Sequence, residues 1–317
     1  MTICLLLFLL QTGDWEYQPG MGFIDRKTMT QKSPGEFYEH GLQLAQARQT
    51  SEALAVFDLI LNHVTEKELV ERVRFRRGET LWSGSRFAEA YRALDDFLRL
   101  YPESEHAPRA KQIAMESAYL LVRDGTTENL LGLFPIIRTS KPGIALLRSI
   151  LQRYPREPFT SHYYYLLAKF FVDDDELGAA ETEVKFILSE YKDTVEAPKA
   201  ILLQGEIGLR RYDAIDYDVK GLEDARRSFA RFIDEAPFLS RISEEAAAFV
   251  RESLPYAQEK IAFINEEMAE KEFETAEYYR SKDRSRAARL YYQSIVRLYP
   301  QTSWAAKAKD RLKELEP

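Results

Sequence analysis

Residues Ala269–Pro300 read AEKEFETAEYYRSKDRSRAARLYYQSIVRLYP. Within them a small residue, Ala276, is followed twelve positions later by a second, Ala288. Tyr292 stands four residues beyond Ala288, Ile295 three beyond that, and Pro300 closes the stretch. An i, i+4, i+7 stripe is one face of an α-helix. The small residue lets a neighbouring helix approach, and the proline cannot continue the hydrogen-bond ladder. The second-helix pattern recurs outward along the chain. It runs Ala90-to-Pro102, Gly143-to-Pro155 and Ala225-to-Pro237, and without the proline Ala53-to-Thr65 and Ala180-to-Lys192. The stripe residues are Phe57, Leu94, Leu147, Val184 and Phe229, then Ile60, Phe97, Ile150, Ile187 and Phe232.

Gly41, Gly78 and Ala168 precede their second small residue by the same twelve positions. A helix-turn-helix with small residues at positions 8 and 20 and a proline near 32 resembles the tetratricopeptide repeat. The pattern predicts an all-α fold, a right-handed α-solenoid of about six such repeats over residues 35–317, with no sheet. Units three and five depart from the spacing. With Ala118 and Gly205 as their first small positions, they carry insertions at 125–141 and 211–220, rich in turn formers and charge. Ser104, Thr194 and Thr302 stand two residues past their terminators as expected N-caps, and Pro108 and Pro198 fall where a first helical turn tolerates them.

The chain has 317 residues, 30% charged and 45% hydrophobic, with a net charge of −7. An acidic balance argues against nucleic acid as a partner. Arg72, Arg74, Arg76 and Arg77 form the one basic run, read as the solvated faces of a helix around Phe75, because alternating arginines cannot share one face. Cys4 is the single cysteine, and His40, His63, His106 and His162 show no ligand spacing, so no metal site or cofactor is expected. Asp173-Asp174-Asp175-Glu176 lacks the spacing of a calcium loop and is read as a turn between two helices. Nothing matches a nucleophile elbow, a phosphate loop or paired catalytic carboxylates, and the expectation is a protein that is not an enzyme.

Ile3–Leu10 is an apolar run too short to span a bilayer and suited to the core of a secretory signal. No Lys or Arg precedes Arg26, so the positive start of such a signal is missing. Residues 1–12 are read as a candidate signal, giving a periplasmic protein, or a cytoplasmic one if the segment is retained. Residues 13–34, with Trp15, Tyr17 and Phe23 among polar residues, are read as an extended linker, the alternative being a clamp whose aromatics dock on the repeats.

The opening quotation also carries a resemblance. Ala269-to-Phe273, Ala276-to-Tyr279, Ala287-Ala288 and Leu298-Tyr299-Pro300 resemble the last repeats of the BamD family, the helical-repeat lipoproteins of the outer-membrane β-barrel assembly machine. The stretch through Ala225, Phe229, Phe232 and Pro237, and the opening Ser33-Pro34-Gly35-Glu36-Phe37-Tyr38, are similar to other parts of that family. The family has five repeats, against six read here, and an acylated cysteine after its signal, whereas Cys4 lies near the start of the apolar run. The resemblance implies a periplasmic scaffold associated with the outer membrane through its partners, binding the barrel insertase and unfolded outer-membrane proteins. The competing expectation is another envelope repeat adaptor, such as one coordinating cell-wall synthesis or division.

In this repeat class the first helix of each unit lines the concave face at positions 2, 5, 9 and 12. Counting from position 8 gives groove candidates Tyr38, Phe75, Glu79, Trp82, Tyr165 and Lys169, then Glu206, Phe273, Glu277 and Arg280. Aromatics beside charges are the composition of binding hot spots. The resemblance adds an insertase contact in the C-terminal units, with Arg284, Arg286 and Arg289 as candidates.

Overall fold

The computed structural model describes residues 15–130, 134–214 and 219–315. The apolar segment 1–12 therefore lies outside the described residues. The chain divides after Tyr163 into two compact units.

The first unit opens with three strands, β1 (Trp15–Gln18), β2 (Gly22–Asp25) and β3 (Gln31–Lys32), paired antiparallel in that order. Helices α1 (Pro34–Gln46), α2 (Thr50–His63), α3 (Lys67–Ser83), α4 (Phe87–Leu100) and α5 (Ala107–Asp124) follow. A hairpin of β4 (Thr126–Leu130) and β5 (Phe134–Thr139) precedes α6 (Lys141–Arg153). Helix α7 (Thr160–Asp173) carries the division between the units. The second unit continues with α8 (Leu177–Glu190), α9 (Glu196–Ala214), α10 (Lys220–Leu239), α11 (Glu244–Ser281), α12 (Ser285–Leu298) and α13 (Ser303–Glu314). The repeats are all-α helical hairpins, as the spacing predicts.

The expectation of no sheet is corrected at two places. Residues 13–34 are not an extended linker where they are described. Trp15–Lys32 fold as a meander whose aromatics dock on α1 and α2. Phe23 is fully buried and stacks on Phe37 at 4.2 Å, Trp15 meets Phe37 at 5.0 Å, and Tyr17 stacks on His63 at 5.1 Å. The other sheet is the β4–β5 hairpin, which occupies the 125–141 insertion. Strands of two to six residues are too short for their alternation to stand out from a sequence.

The paired small residues work as the spacing requires. A Cβ on Gly78 would sit 2.5 Å from Leu94, and one on Gly205 would sit 2.7 Å from the Phe229 ring. Position 8 is thus the socket for the apolar residue at position 24, and Gly205 is the first small position of unit five. Four hairpins also share one turn. Arg48, Ser85, Asp175 and Asp283, each seven residues after the first small position, have φ between 57° and 60°. In each, the next N–H reaches back five residues, as Gln49 to the Leu44 carbonyl at 2.9 Å and Arg284 to Tyr279 at 3.0 Å. This is a Schellman closure, which satisfies carbonyls left open at a helix end. The acidic run Asp173–Glu176 forms one of these turns.

Helices α4, α6 and α12 end two residues before Pro102, Pro155 and Pro300. Pro237 does not stop its helix: α10 runs through it to Leu239. The missing N–H costs one bond in the last turn, and burial of Ala236 and Leu239 against Val250 offsets it. Thr302 caps α13 by accepting the Ala305 N–H at 3.2 Å. Ser104 instead accepts from His106, in the turn before α5, and the Thr194 hydroxyl donates to the Tyr191 carbonyl. Helix α11 is the largest departure from a repeat. Its 38 residues span about 57 Å at 1.5 Å per residue, continue through Pro255, and bury Val250, Ala257 and Ile264 at heptad spacing. Its first half packs on α10, and its second half is the first helix of the sixth hairpin.

Candidate functional site

The groove candidates separate by repeat position. Tyr38, Phe75 and Phe273, three of the four candidates at position 5, are 4%, 2% and 8% exposed, so they pack between hairpins rather than line a groove, whereas Tyr165, the fourth, is only half-buried. Arg72 of α3 lies over the Tyr38 ring at 4.8 Å, His106 stacks on Phe75 at 4.5 Å, and Trp304 of α13 meets Phe273 at 5.1 Å. The reason is geometric. Position 5 is one turn before the position-8 socket, so its side chain reaches the first helix of the following hairpin.

Positions 9 and 12, together with Tyr165 at position 5, are the more accessible ones. In the first unit Glu79 and Trp82 are half-buried on α3. Arg76 donates to Glu79 at 2.5 Å, and Arg109 of α5 reaches Glu79 at 3.8 Å while lying 5.6 Å over the Trp82 ring. The buried Trp82 Nε1 has no hydrogen-bond partner. The rest of the arginine run is dispersed, with Arg77 paired to Asp58 at 2.6 Å.

The second unit brings Tyr165 of α7 and Glu206 of α9 together with Tyr256 of α11, a residue the repeat count did not single out. The Tyr256 hydroxyl donates to Glu206 at 3.2 Å. Burial, then Glu206 and Glu196, push the Tyr165 phenol up to about 12. Burial, then Glu206, do the same for Tyr256, also to about 12. Lys260 lies over the Tyr256 ring at 5.2 Å, and Lys169 is exposed one turn along α7 from Tyr165. Two neutral phenols beside one carboxylate, carried on three helices and flanked by lysines, present hydrogen-bond donors, an acceptor and aromatic area to a chain laid across them. The Ser243 cap and the spacing Ala246, Val250, Ala257, Ile264 are the signals that would have placed Tyr256 on a helix.

Glu277 and Arg280 have an internal task. The Glu277 carboxylate accepts from Tyr292 at 2.6 Å, Arg280 at 2.6 Å and Arg311 at 2.9 Å, joining α11, α12 and α13. Burial raises its pKa, but the three donors outweigh burial and hold it below the usual carboxylate range. Arg284 and Arg286 are exposed at the start of α12. Arg289 is half-buried and donates to the Leu315 carbonyl, so it is tied to the end of α13.

The profile of the YfiO outer membrane lipoprotein family matches residues 138–316, which is more than half of the chain. The chain belongs to the YfiO outer membrane lipoprotein family. YfiO is the BamD family, whose last repeats Ala269–Pro300 resemble. The matched span holds α6 to α13, and therefore Tyr165, Glu206 and Tyr256. No curated protein matches the chain. Similar solved structures include a Rap protein complexed with competence and sporulation factor, at 13% identity and a TM-score of 0.29, covering 89% of this chain and 76% of that one. Another is the human IFIT1 dimer with m7Gppp-AAAA, at 16% identity and a TM-score of 0.23, covering 89% of this chain and 71% of that one. Among the described residues no helix is long and apolar enough to cross a membrane.

Proposed function

We propose that this protein is a non-enzymatic periplasmic scaffold of the outer-membrane β-barrel assembly machinery, binding the barrel insertase and unfolded outer-membrane proteins. Membership of the outer membrane lipoprotein family supports an envelope repeat protein that acts by binding other proteins. The observation that carries the binding step is the Tyr165–Glu206–Tyr256 face. A polypeptide needs paired donors and acceptors for its backbone and flat apolar area for its side chains, and this face offers both. Glu79 and Trp82 offer the same pairing in the first unit, with Arg109 already over the indole. Exposed Arg284 and Arg286 are the residues proposed to meet the insertase, where they would set association rate and specificity more than affinity. Arg289 contributes there by holding the end of α13.

Crosslinked affinity purification of the tagged full chain from its own cells tests this reading. Recovery of a barrel-shaped insertase with periplasmic domains, reduced by Arg284→Glu with Arg286→Glu, is the expected result. Recovery of wall-synthesis or division proteins without an insertase would replace it with the adaptor reading.

A further inference from the structure

Two clefts flank helix α10, on a face that shares no residue with Tyr165, Glu206 and Tyr256. The larger, about 730 Å³, lies between α10, α11 and the end of α12. Val219, Ile261, Met268 and Leu298 supply its apolar lining, and Val219 and Leu298 are 38% and 45% exposed. The smaller, about 460 Å³, lies between α8, α9 and α10 and is basic, with Lys185, Arg211, Lys220, Arg227 and Arg231 against Glu181 and Asp224. Helical spacing builds both from one element. Glu223, Arg226 and Ala230 form one stripe of α10, Lys220, Asp224, Ser228 and Arg231 the next, and Arg227 borders both clefts.

Internal ion pairs take up part of the basic cleft's charge, with Arg231 held by Glu235 at 2.9 Å, yet the five cations still outnumber Glu181, Asp224 and Glu235. Glu181 alone serves both Arg211 at 2.7 Å and Lys185 at 3.2 Å. Arg227 approaches Asp224 only to 3.7 Å and keeps 77% of its side chain exposed. On a chain of net charge −7, this local reversal beside exposed apolar side chains selects a partner of opposite charge with apolar anchors. In the larger cleft, burial pushes the Glu272 carboxyl up from the usual carboxylate range.

We infer that the α10 ridge is a second docking surface, which takes an acidic protein segment with its bulky apolar residues in the α10–α11–α12 cleft and its carboxylates on Arg227, Arg231 and Lys185. The arrangement separates two jobs: the apolar cleft anchors the segment, and the arginines choose it by charge and orient it. Nucleic acid would use the basic cleft but has no need of the apolar one, and an anionic lipid is separated from the peptide by the vesicle arm of the test.

Fluorescence anisotropy on the full chain tests this with three labelled synthetic peptides: one of Glu and Leu, a twin with Gln for Glu, and a twin with Ser for Leu. The Glu/Leu peptide is expected to bind, and each twin to bind roughly tenfold more weakly or worse. Arg227→Glu with Arg231→Glu should weaken the Glu/Leu peptide by at least about tenfold, and a Lys/Leu peptide should then prefer the variant. Arg227→Gln, a milder change, guards against a folding defect and should give an intermediate loss. Absence of Glu/Leu binding, equal binding of the Glu and Gln peptides, or binding unmoved by the charge reversal would overturn the inference. Capture by phosphatidylglycerol vesicles in preference to the peptide would overturn it as well, in favour of a lipid surface.

Discussion

The repeats are closed at their two ends by different chemistry. At the N-terminal end, strands β1–β3 lay Trp15, Tyr17 and Phe23 on Phe37 and His63, an aromatic seal with Phe23 fully buried. At the C-terminal end, α13 brings Trp304 against Phe273 and then ties itself down through Glu277, which holds Tyr292, Arg280 and Arg311 at once. Each unit of a repeat protein is completed only by its neighbours, so a terminal unit needs a substitute. The difference shows that the substitute need not be another repeat.

The scale for both ends is set in the middle. Phe232 is fully buried among Phe229, Leu239 and Val250, and Phe232→Ala is expected to cost roughly 3–5 kcal/mol in denaturant unfolding. A loss below about 1 kcal/mol would show that the repeat register assigned here is wrong. Phe23→Ala should cost about 3 kcal/mol, and hydrogen exchange should show the loss in the meander and α1 while α12 and α13 keep their protection. Spread of that loss to α13 would break the distinction between the ends. Glu277→Gln should cost about 2 kcal/mol, confined to α11–α13, because it removes charge-assisted bonds from a partly buried carboxylate.

The ends should also respond to different pH windows. The folded pKa of Glu277 is depressed, so its stabilisation is complete above the unfolded carboxyl value of about 4.3 and is lost as pH falls through the folded value. Burial, then Lys32, depress His40, which faces Trp15 and Phe37. Its neutral form is favoured by folding, so the N-terminal end begins to lose stability already below about 6.5. Exchange measured down from neutral pH should loosen α1 and the meander before α13, and the opposite order would contradict the assignment. The smallest expected effect is a gain. Arg48 holds φ at +60°, so Arg48→Gly should raise stability by about 0.5–1 kcal/mol by removing left-handed strain.

Much of the fold was legible because a hairpin repeat leaves its packing in the sequence. The sockets at Gly78 and Gly205, the residues Leu94 and Phe229 that fill them, and the place of the 125–141 insertion follow from spacing alone, while residues 215–218 of the expected 211–220 insertion lie outside the described residues. Spacing does not report the following hairpin, which is why Tyr38, Phe75 and Phe273 were read as groove residues and are core. It also overstates proline. Pro237, expected to end its helix, lies inside it because burial on both sides outweighs one missing hydrogen bond, and the repeat spacing passes from Pro237 to Ala276 without assigning Tyr256 a position. The meander left no period to detect in strands of two to four residues.

The most direct test of the binding face is a titration of an unfolded outer-membrane β-barrel polypeptide into the full chain, comparing wild type with Tyr165→Ala and Tyr256→Ala. Both substitutions should weaken binding by about tenfold or more, with the chain still folded in thermal unfolding, since Tyr256 is exposed and Tyr165 only half-buried. Binding equal to wild type in both variants would contradict the account and remove this face from the work of receiving clients.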